Sequence, residues 1–318
     1  MKRIYIIFIT LFFFQMNHAQ NNNYSKLWDQ VNSFEIKGLP KSALEVVATI
    51  EALAVKESNR KQLIKTLLFK SKFALILEED AQLSVINDFK TQISKSEVPE
   101  KNVLQNMLAT LYWQYFQQNR WKFYNRTKTS EKVDETDFRT WDLETLFEDI
   151  HLNYQNSLKN GLILQQTPIS DFEVILNTQE NSETFRPSVF DLLAHNALDF
   201  YKTNETRITK PAETFSIQND AYFTKASTFD NLELESEDVL SLQFNTLKIY
   251  QDLIHFHLKN PKYLALAQVN IDRLAFVKQN TTLENTTELL LNTFKAETNS
   301  VKGTEAEALY NYEIASIY

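Results

Sequence analysis

The chain of 318 residues has no cysteine, three glycines and six prolines. Without cysteine it forms no disulfide, offers no thiolate nucleophile and has no sulfur to accept a lipid anchor. So little glycine leaves few of the tight, close-approach turns on which active sites are built. No phosphate loop, nucleophile elbow or dinucleotide-binding glycine fingerprint occurs. The five histidines include no HExxH pair and no histidine–carboxylate cluster. His255 and His257 stand two apart, a spacing that a helix turns to different sides, so they cannot chelate one ion. Basic residues are also short: 33 Lys and Arg face 41 Asp and Glu, for a net charge of −8. That is the reverse of a nucleic-acid-binding surface.

No apolar run reaches the roughly 20 residues that a membrane helix needs. The longest, "IYIIFITLFFF" at 4–14, follows Lys2 and Arg3 and precedes a polar stretch with a small residue at Ala19. This reads as a secretory signal peptide over 1–19, cleaved after Ala19, with Gln20 as the alternative. The remaining chain is expected to be exported, with no stable membrane insertion.

What is present is helical periodicity. Over 41–56, Leu44, Val47, Ala48 and Val55 share a face, flanked by Ile50 and Ala54. Over 60–79 the stripe is Leu63, Ile64, Leu67, Leu68, Ser71 and Leu75. Over 143–158 it is Leu143, Phe147, Ile150, Tyr154 and Leu158, and over 188–201 it is Phe190, Leu193, Ala194, Ala197, Leu198 and Tyr201. The segments 240–258, 263–277 and 284–296 continue the pattern. Ser42–Glu45, Ser170–Glu173 and Thr304–Glu307 have capping-box spacing, Gly161 reads as a helix end, and Gly303 separates the last two helices. Two regions break the rhythm, 125–140 and 203–237, and their isolated aromatics suggest segments pinned on a helical scaffold.

The expected fold is therefore all-α, antiparallel helix pairs forming a tetratricopeptide-like α-solenoid behind the signal peptide. Its expected divisions are an N-terminal array over 20–202, an irregular connection over 203–237 and C-terminal pairs over 238–318. In "NYEIASIY" (311–318), Ile314, Ala315 and Tyr318 fall where a tetratricopeptide first helix carries its signature, which reads as a repeat begun and not finished.

Candidate chemistry is thin. Glu78, Glu79 and Asp80 are adjacent acids at a helix end, a pattern that usually makes a solvated face and not the facing carboxylates of a glycosidase. His195 lies beside an apolar stripe and reads as a hydrogen-bonded core residue. The densest feature is "YWQYFQQNRWKFYNRTKT" (112–129). Leu104, Met107, Leu108, Leu111, Tyr112 and Tyr115 give its helix a core face, which Trp113 and Phe116 widen. Arg120, Trp121, Lys122, Phe123, Tyr124 and Arg126 are expected to leave the helix. The candidate residues are Trp113, Arg120, Trp121, Tyr124 and Arg126. They are read as a structural corner, with Trp121 in the core and Asp137 or Asp142 pairing the cations, or alternatively as a sugar or peptide platform. No catalytic, cofactor or metal residue is assigned, and the chain reads as non-enzymatic.

The stretches "KGLPKSALEVV" (37–47), "YWQYFQQNRWKFYNRT" (112–127), "DFRTWDLETL" (137–146), "FRPSVFDLLAHNALDFY" (185–201) and "ITKPAETF" (208–215) together resemble the N-terminal helical region of the large alpha-2-macroglobulin-like proteins of Bacteroidetes. The resemblance spans roughly 24–318. It implies a longer parent with β-sandwich macroglobulin domains, a bait region and, in many members, a Cys–Gln thioester. None of those parts lies in this chain, so no trapping residue carries over. The resemblance also implies a periplasmic or cell-envelope inhibitor of endopeptidases, whose partners are its own downstream domains, envelope proteins or proteases. A glycan-binding helical-repeat protein of the envelope is the alternative.

Overall fold

A computed structural model describes residues 23–125, 134–203, 205, 214–259 and 262–318. Among these residues the backbone is helical and contains no strand. Two isolated β-bridges, Pro168–Ser188 and Ile217–Thr281, are the extended pairings. Among them no helix is long and apolar enough to cross a membrane. The signal-peptide reading and Arg126 fall outside the described residues. The chain divides into two compact units after Lys95, inside the segment read above as one array.

The first unit holds α1 (23–36), α2 (Pro40–Lys56), α3 (Arg60–Leu77) and α4 (Ala81–Lys95). Gly38 turns the chain between α1 and α2 at a φ of 68°, a conformation that costs glycine little. The core joins Tyr24 and Val31 of α1 to Ala43, Val47, Ile50 and Ala54 of α2 and Phe73 of α3. The α2 face is thus centred one position earlier than the stripe through Leu44, Ala48 and Val55, and Val55 is exposed. Ala43 and Ala54 are fully buried there, while Leu44 packs against the cluster only partly buried. On α3 the same correction applies to Leu75, which is exposed while Phe73 is buried.

Three cross-helix pairs fix the register of this unit. Tyr24 Oη donates to Glu57 Oε2 at 2.8 Å, Trp28 Nε1 donates to Gln62 Oε1 at 2.8 Å, and Lys72 pairs with Glu35. Glu57 lies in the turn just before α3, and Gln62 and Lys72 follow along α3 as Trp28 and Glu35 follow along α1, so these two helices run parallel. Lys70 of α3 meets Glu51 of α2 at 3.0 Å, which sets α2 antiparallel to α3.

The second unit is built around α5 (Glu100–Tyr124), α6 (Leu143–Leu158) and α9 (Val189–Tyr201), which pack on one another. The short helices α7 (Gly161–Gln166) and α8 (Ser182–Phe185) lie between α6 and α9 in the chain. Every residue of the expected stripe on α9 is buried. The α6 face matches at Phe147, Ile150 and Tyr154 but takes Leu146 and Ser157 in place of Leu143 and Leu158. After α10 (Ala226–Phe229), the helices α11 (Leu242–Lys259) and α12 (Tyr263–Asn280) form a hairpin, and α13 (Thr286–Ser300) pairs with α14 (Ala306–Ile317). Asn270 of α12 bonds to Tyr310 of α14, and further on Lys278 and Ile317 line one groove, so α12 runs parallel to α14.

The described part of 203–237 is pinned as expected. Ile217, Phe223, Phe229 and Leu234 are buried, and Thr281 Oγ1 donates to the Ile217 carbonyl at 2.7 Å. The caps differ from the expected ones. Ser42 lies inside α2, whose first residue is Pro40, and Ser170 lies inside a 3-10 turn over Ile169–Ile175. Of the third pair, Glu307 Oε2 accepts from Gly303 N at 2.7 Å while α14 starts at Ala306. Gly161 opens α7 and does not close a helix.

Candidate functional site

Residues 112–124 of the aromatic stretch lie in α5, which is broken by a kink at Asn119, next to the expected exit at Arg120. It departs from helical geometry at Asn119 (φ −115°, ψ 17°), whose amide donates to the Tyr115 carbonyl at 3.0 Å, and then continues to Tyr124. Two helical pieces meet at this kink, and the ring contacts and exposures show which rings are inside. Phe123 is seven residues beyond Phe116 and returns to the same face, with ring centroids 5.8 Å apart. Trp121 is five residues beyond Phe116 and turns outward, 66% exposed. The expectation that Trp121 sits in the core is thus corrected.

Trp113 behaves as expected. Its ring, 8% exposed, stacks on Phe116 at 5.3 Å and takes edge contacts from Phe147 of α6 at 5.8 Å and Phe200 of α9 at 5.2 Å. Arg120 and Tyr124 converge on a residue that sequence reasoning missed, Glu205. This carboxylate is 7% exposed, meets the Arg120 guanidinium at Oε1 and accepts from the Tyr124 hydroxyl at Oε2. Arg120 also lies 6.0 Å from the Tyr124 ring centroid. Arg120 thus pairs with Glu205 and not with the expected Asp137 or Asp142; Asp137 pairs with Arg139 at 2.8 Å, Asp142 accepts from Thr145 N to cap α6, and the expected pairing of either with Arg126 lies outside the described residues. The other anchor of this corner is the turn over Phe138–Thr140, where Phe138 and Trp141 are buried on the Tyr112 ring at 5.2 and 5.9 Å.

The richest polar constellations are internal. Ser188 and Asp191 form the capping box of α9: Ser188 Oγ donates to Asp191 Oδ2 at 2.6 Å, and Asp191 N donates back to Oγ at 3.2 Å. The other carboxylate oxygen accepts from His257 Nε2 of α11 at 2.7 Å. Neither Asp191 nor His257 has solvent exposure, and His257 Nδ1 has no hydrogen-bond partner. His195 Nδ1 donates to the Asp191 carbonyl at 2.8 Å, since a carbonyl only accepts. Burial first, and then the nearby Arg186 charge, pull the His195 imidazole down to about 4. His255 is separate, at the surface, 2.9 Å from Asp230.

A second internal network centres on Arg273 of α12. Its guanidinium donates to the carbonyls of Tyr222 at 2.7 Å and Thr224 at 2.6 Å and twice to Asn270 Oδ1, and it lies 4.2 Å from the Phe229 centroid. Asn270 passes the chain on to Glu297 and Tyr310, and Glu297 accepts from Ala226 N at 2.6 Å. Burial lowers the Arg273 pKa, and the Glu297 carboxylate opposes the shift. Both networks pair buried polar groups across distant segments, with His257 Nδ1 left over in the first. They tie helices and loops far apart in the chain to one another.

Open concavities lie elsewhere in the second unit. A cleft of about 560 Å³ has an apolar floor that includes Ile169, Leu176 and Leu192 and a polar rim from 177–183. A groove of about 300 Å³ lies among α12, α13 and α14. Among the described residues, no group of three or more His, Cys, Asp or Glu side chains is placed to hold a metal ion. No family model, curated protein or solved structure matches the chain.

Proposed function

We propose that the chain is a tetratricopeptide-like α-solenoid serving, without catalysis, as a structural and protein-interaction region of an alpha-2-macroglobulin-like endopeptidase inhibitor of the bacterial cell envelope. The observation that carries the array is the register of the first unit. Tyr24–Glu57, Trp28–Gln62 and Glu35–Lys72 join positions 33, 34 and 37 residues apart. That is close to the step of the 34-residue helix–turn–helix repeat, in which each first helix lies parallel to the next one. The same n to n+2 relation recurs between α12 and α14. The use of Asp191, His257, Arg273 and Glu297 to bind helices together supports a scaffold role over a catalytic one.

The parentage rests on the sequence resemblance, and the partners it calls for are the macroglobulin domains of the same protein, other envelope proteins and target proteases. Sequencing the gene beyond the codon for Tyr318 tests it. A continuation rich in alternating β-strand pattern is expected. An in-frame stop at that point sinks the parentage and leaves the helical array standing.

A further inference from the structure

We propose that the last turn of α5 is a binding site for a neutral pyranose oligosaccharide, with the Trp121 indole as its stacking platform. The site is independent of the proposed function and rests on how this turn is built. Phe123 anchors one side of the turn in the core, 2% exposed and in ring contact with Phe116 and Tyr115. Trp121 lies about 160° from Phe123 around the turn, with Arg120 and Tyr124 between the two at helical spacing. The indole thus projects from an anchored helix, with only two side-chain torsions to order, which suits it to rigid contact.

A single exposed aromatic ring is ordinary on a protein surface. What sets this one apart is the polar assembly beside it. Glu205 holds the Arg120 guanidinium and the Tyr124 hydroxyl together, so donors and acceptors are fixed next to an open ring. Arg120 keeps further N–H donors on a side chain 57% exposed, and a carboxylate has lone pairs beyond the two bonds Glu205 makes. The Lys122 ammonium lies 5.7 Å from the Trp121 centroid. A pyranose presents the complement: an apolar face of C–H groups for the electron-rich ring, rimmed by hydroxyls that both donate and accept.

Charge selects the neutral sugar over an acidic one or a nucleic acid. Glu205 balances Arg120, which leaves the Lys122 ammonium as a single positive charge beside the ring, too little to hold a polyanion, and the chain as a whole is acidic at −8. Nucleobases also stack on aromatic rings, but single-stranded nucleic-acid sites add a basic groove along the backbone.

The test is a glycan array carrying neutral and acidic oligosaccharides, with single-stranded oligonucleotides printed beside them, probed with the purified chain and with Trp121→Ala and Trp121→Phe. Because Trp121 is exposed, both variants are expected to fold as the parent does. Saturable binding to a neutral pyranose oligomer, weakened at least about tenfold by Trp121→Ala and largely kept by Trp121→Phe, supports the site; tenfold corresponds to about 1.4 kcal/mol. Absence of neutral-glycan binding, binding confined to acidic glycans or oligonucleotides, or neutral binding unaffected by Trp121→Ala overturns it. None of these outcomes bears on the gene continuation that tests the parentage.

Discussion

His257 Nε2 stands 2.7 Å from Asp191 Oδ1 with both side chains wholly sealed from solvent, tying α11 to the first turn of α9. Removing one member of such a pair leaves the other buried without its partner, which costs about 3–5 kcal/mol. Replacing both by apolar residues removes the stranded group as well. We expect His257→Phe to lower stability by about that amount. The double variant Asp191→Leu/His257→Phe should lose clearly less than the sum of the two single changes, since contacting residues couple by about 0.5–3 kcal/mol. Urea denaturation of the four proteins completes the cycle. Additive losses would show that the pair contributes nothing as a pair.

The two tryptophans of α5 should separate cleanly. Trp113 lies among Phe116, Phe147 and Phe200, so Trp113→Ala is expected to cost about 3–5 kcal/mol, the usual loss for a large aromatic in a core. Trp121→Ala should stay within about 0.5 kcal/mol, as surface changes do. Equal shifts in denaturation midpoint would contradict the outward turn of Trp121.

The contrast between these residues shows what the sequence makes legible. Apolar stripes broad enough to survive an error of one position, as on α9, are read directly from spacing. On α5 the break itself was legible, since the helix kinks at Asn119, one residue before the expected exit at Arg120; what spacing did not show is that a helical turn resumes beyond the kink and returns Phe123 to Phe116. Ser188-x-x-Asp191 was also visible as a capping-box spacing just ahead of an apolar run. Its partner His257 was not, because it lies 66 residues away and nothing local marks the pairing. Glu205 was hidden for the same reason, 81 residues from Tyr124. Nothing local marks Arg273 either, which the structure turns inward to satisfy two carbonyls about 50 residues away.

Acid sensitivity should trace in part to His195. Its folded pKa is depressed from 6.5 to about 4 by burial and then by Arg186, with Lys202 acting the same way and Asp191 opposing. The unfolded chain therefore binds a proton in the window between these values that the folded chain refuses. Stability falls as pH drops from 6.5 toward 4, by up to about 3 kcal/mol for this group. Burial raises the pKa of Asp238, Asp252 and Asp272, which tilts their contribution the other way. The readout is therefore a difference: His195→Gln, whose amide can still donate to the Asp191 carbonyl, should show a shallower loss over this window than the parent. Parallel pH profiles from urea melts of the two proteins would refute the assignment.

Arg273 provides the sharpest test of whether internal charge holds the second unit together. Its planar guanidinium reaches the Tyr222 and Thr224 carbonyls through separate nitrogens and grips Asn270 Oδ1 through two more N–H groups. A lysine keeps the charge but carries its donors on one atom, so it cannot span three acceptors. Arg273→Lys should therefore fail to rescue the fold. We expect both Arg273→Lys and Arg273→Leu to lose about 3–5 kcal/mol, the usual cost of breaking a buried charged network. The loss should be local at first. Thr224 leads into α10, and Ala226 N is held by Glu297 of the same network, so amides near Ala226 and Phe229 should lose hydrogen-exchange protection before those of α5 and α6. Hydrogen exchange read by mass spectrometry distinguishes this order. Full protection of the segment around Phe229 in Arg273→Lys would show that charge alone, without the forked geometry, is enough to pin it.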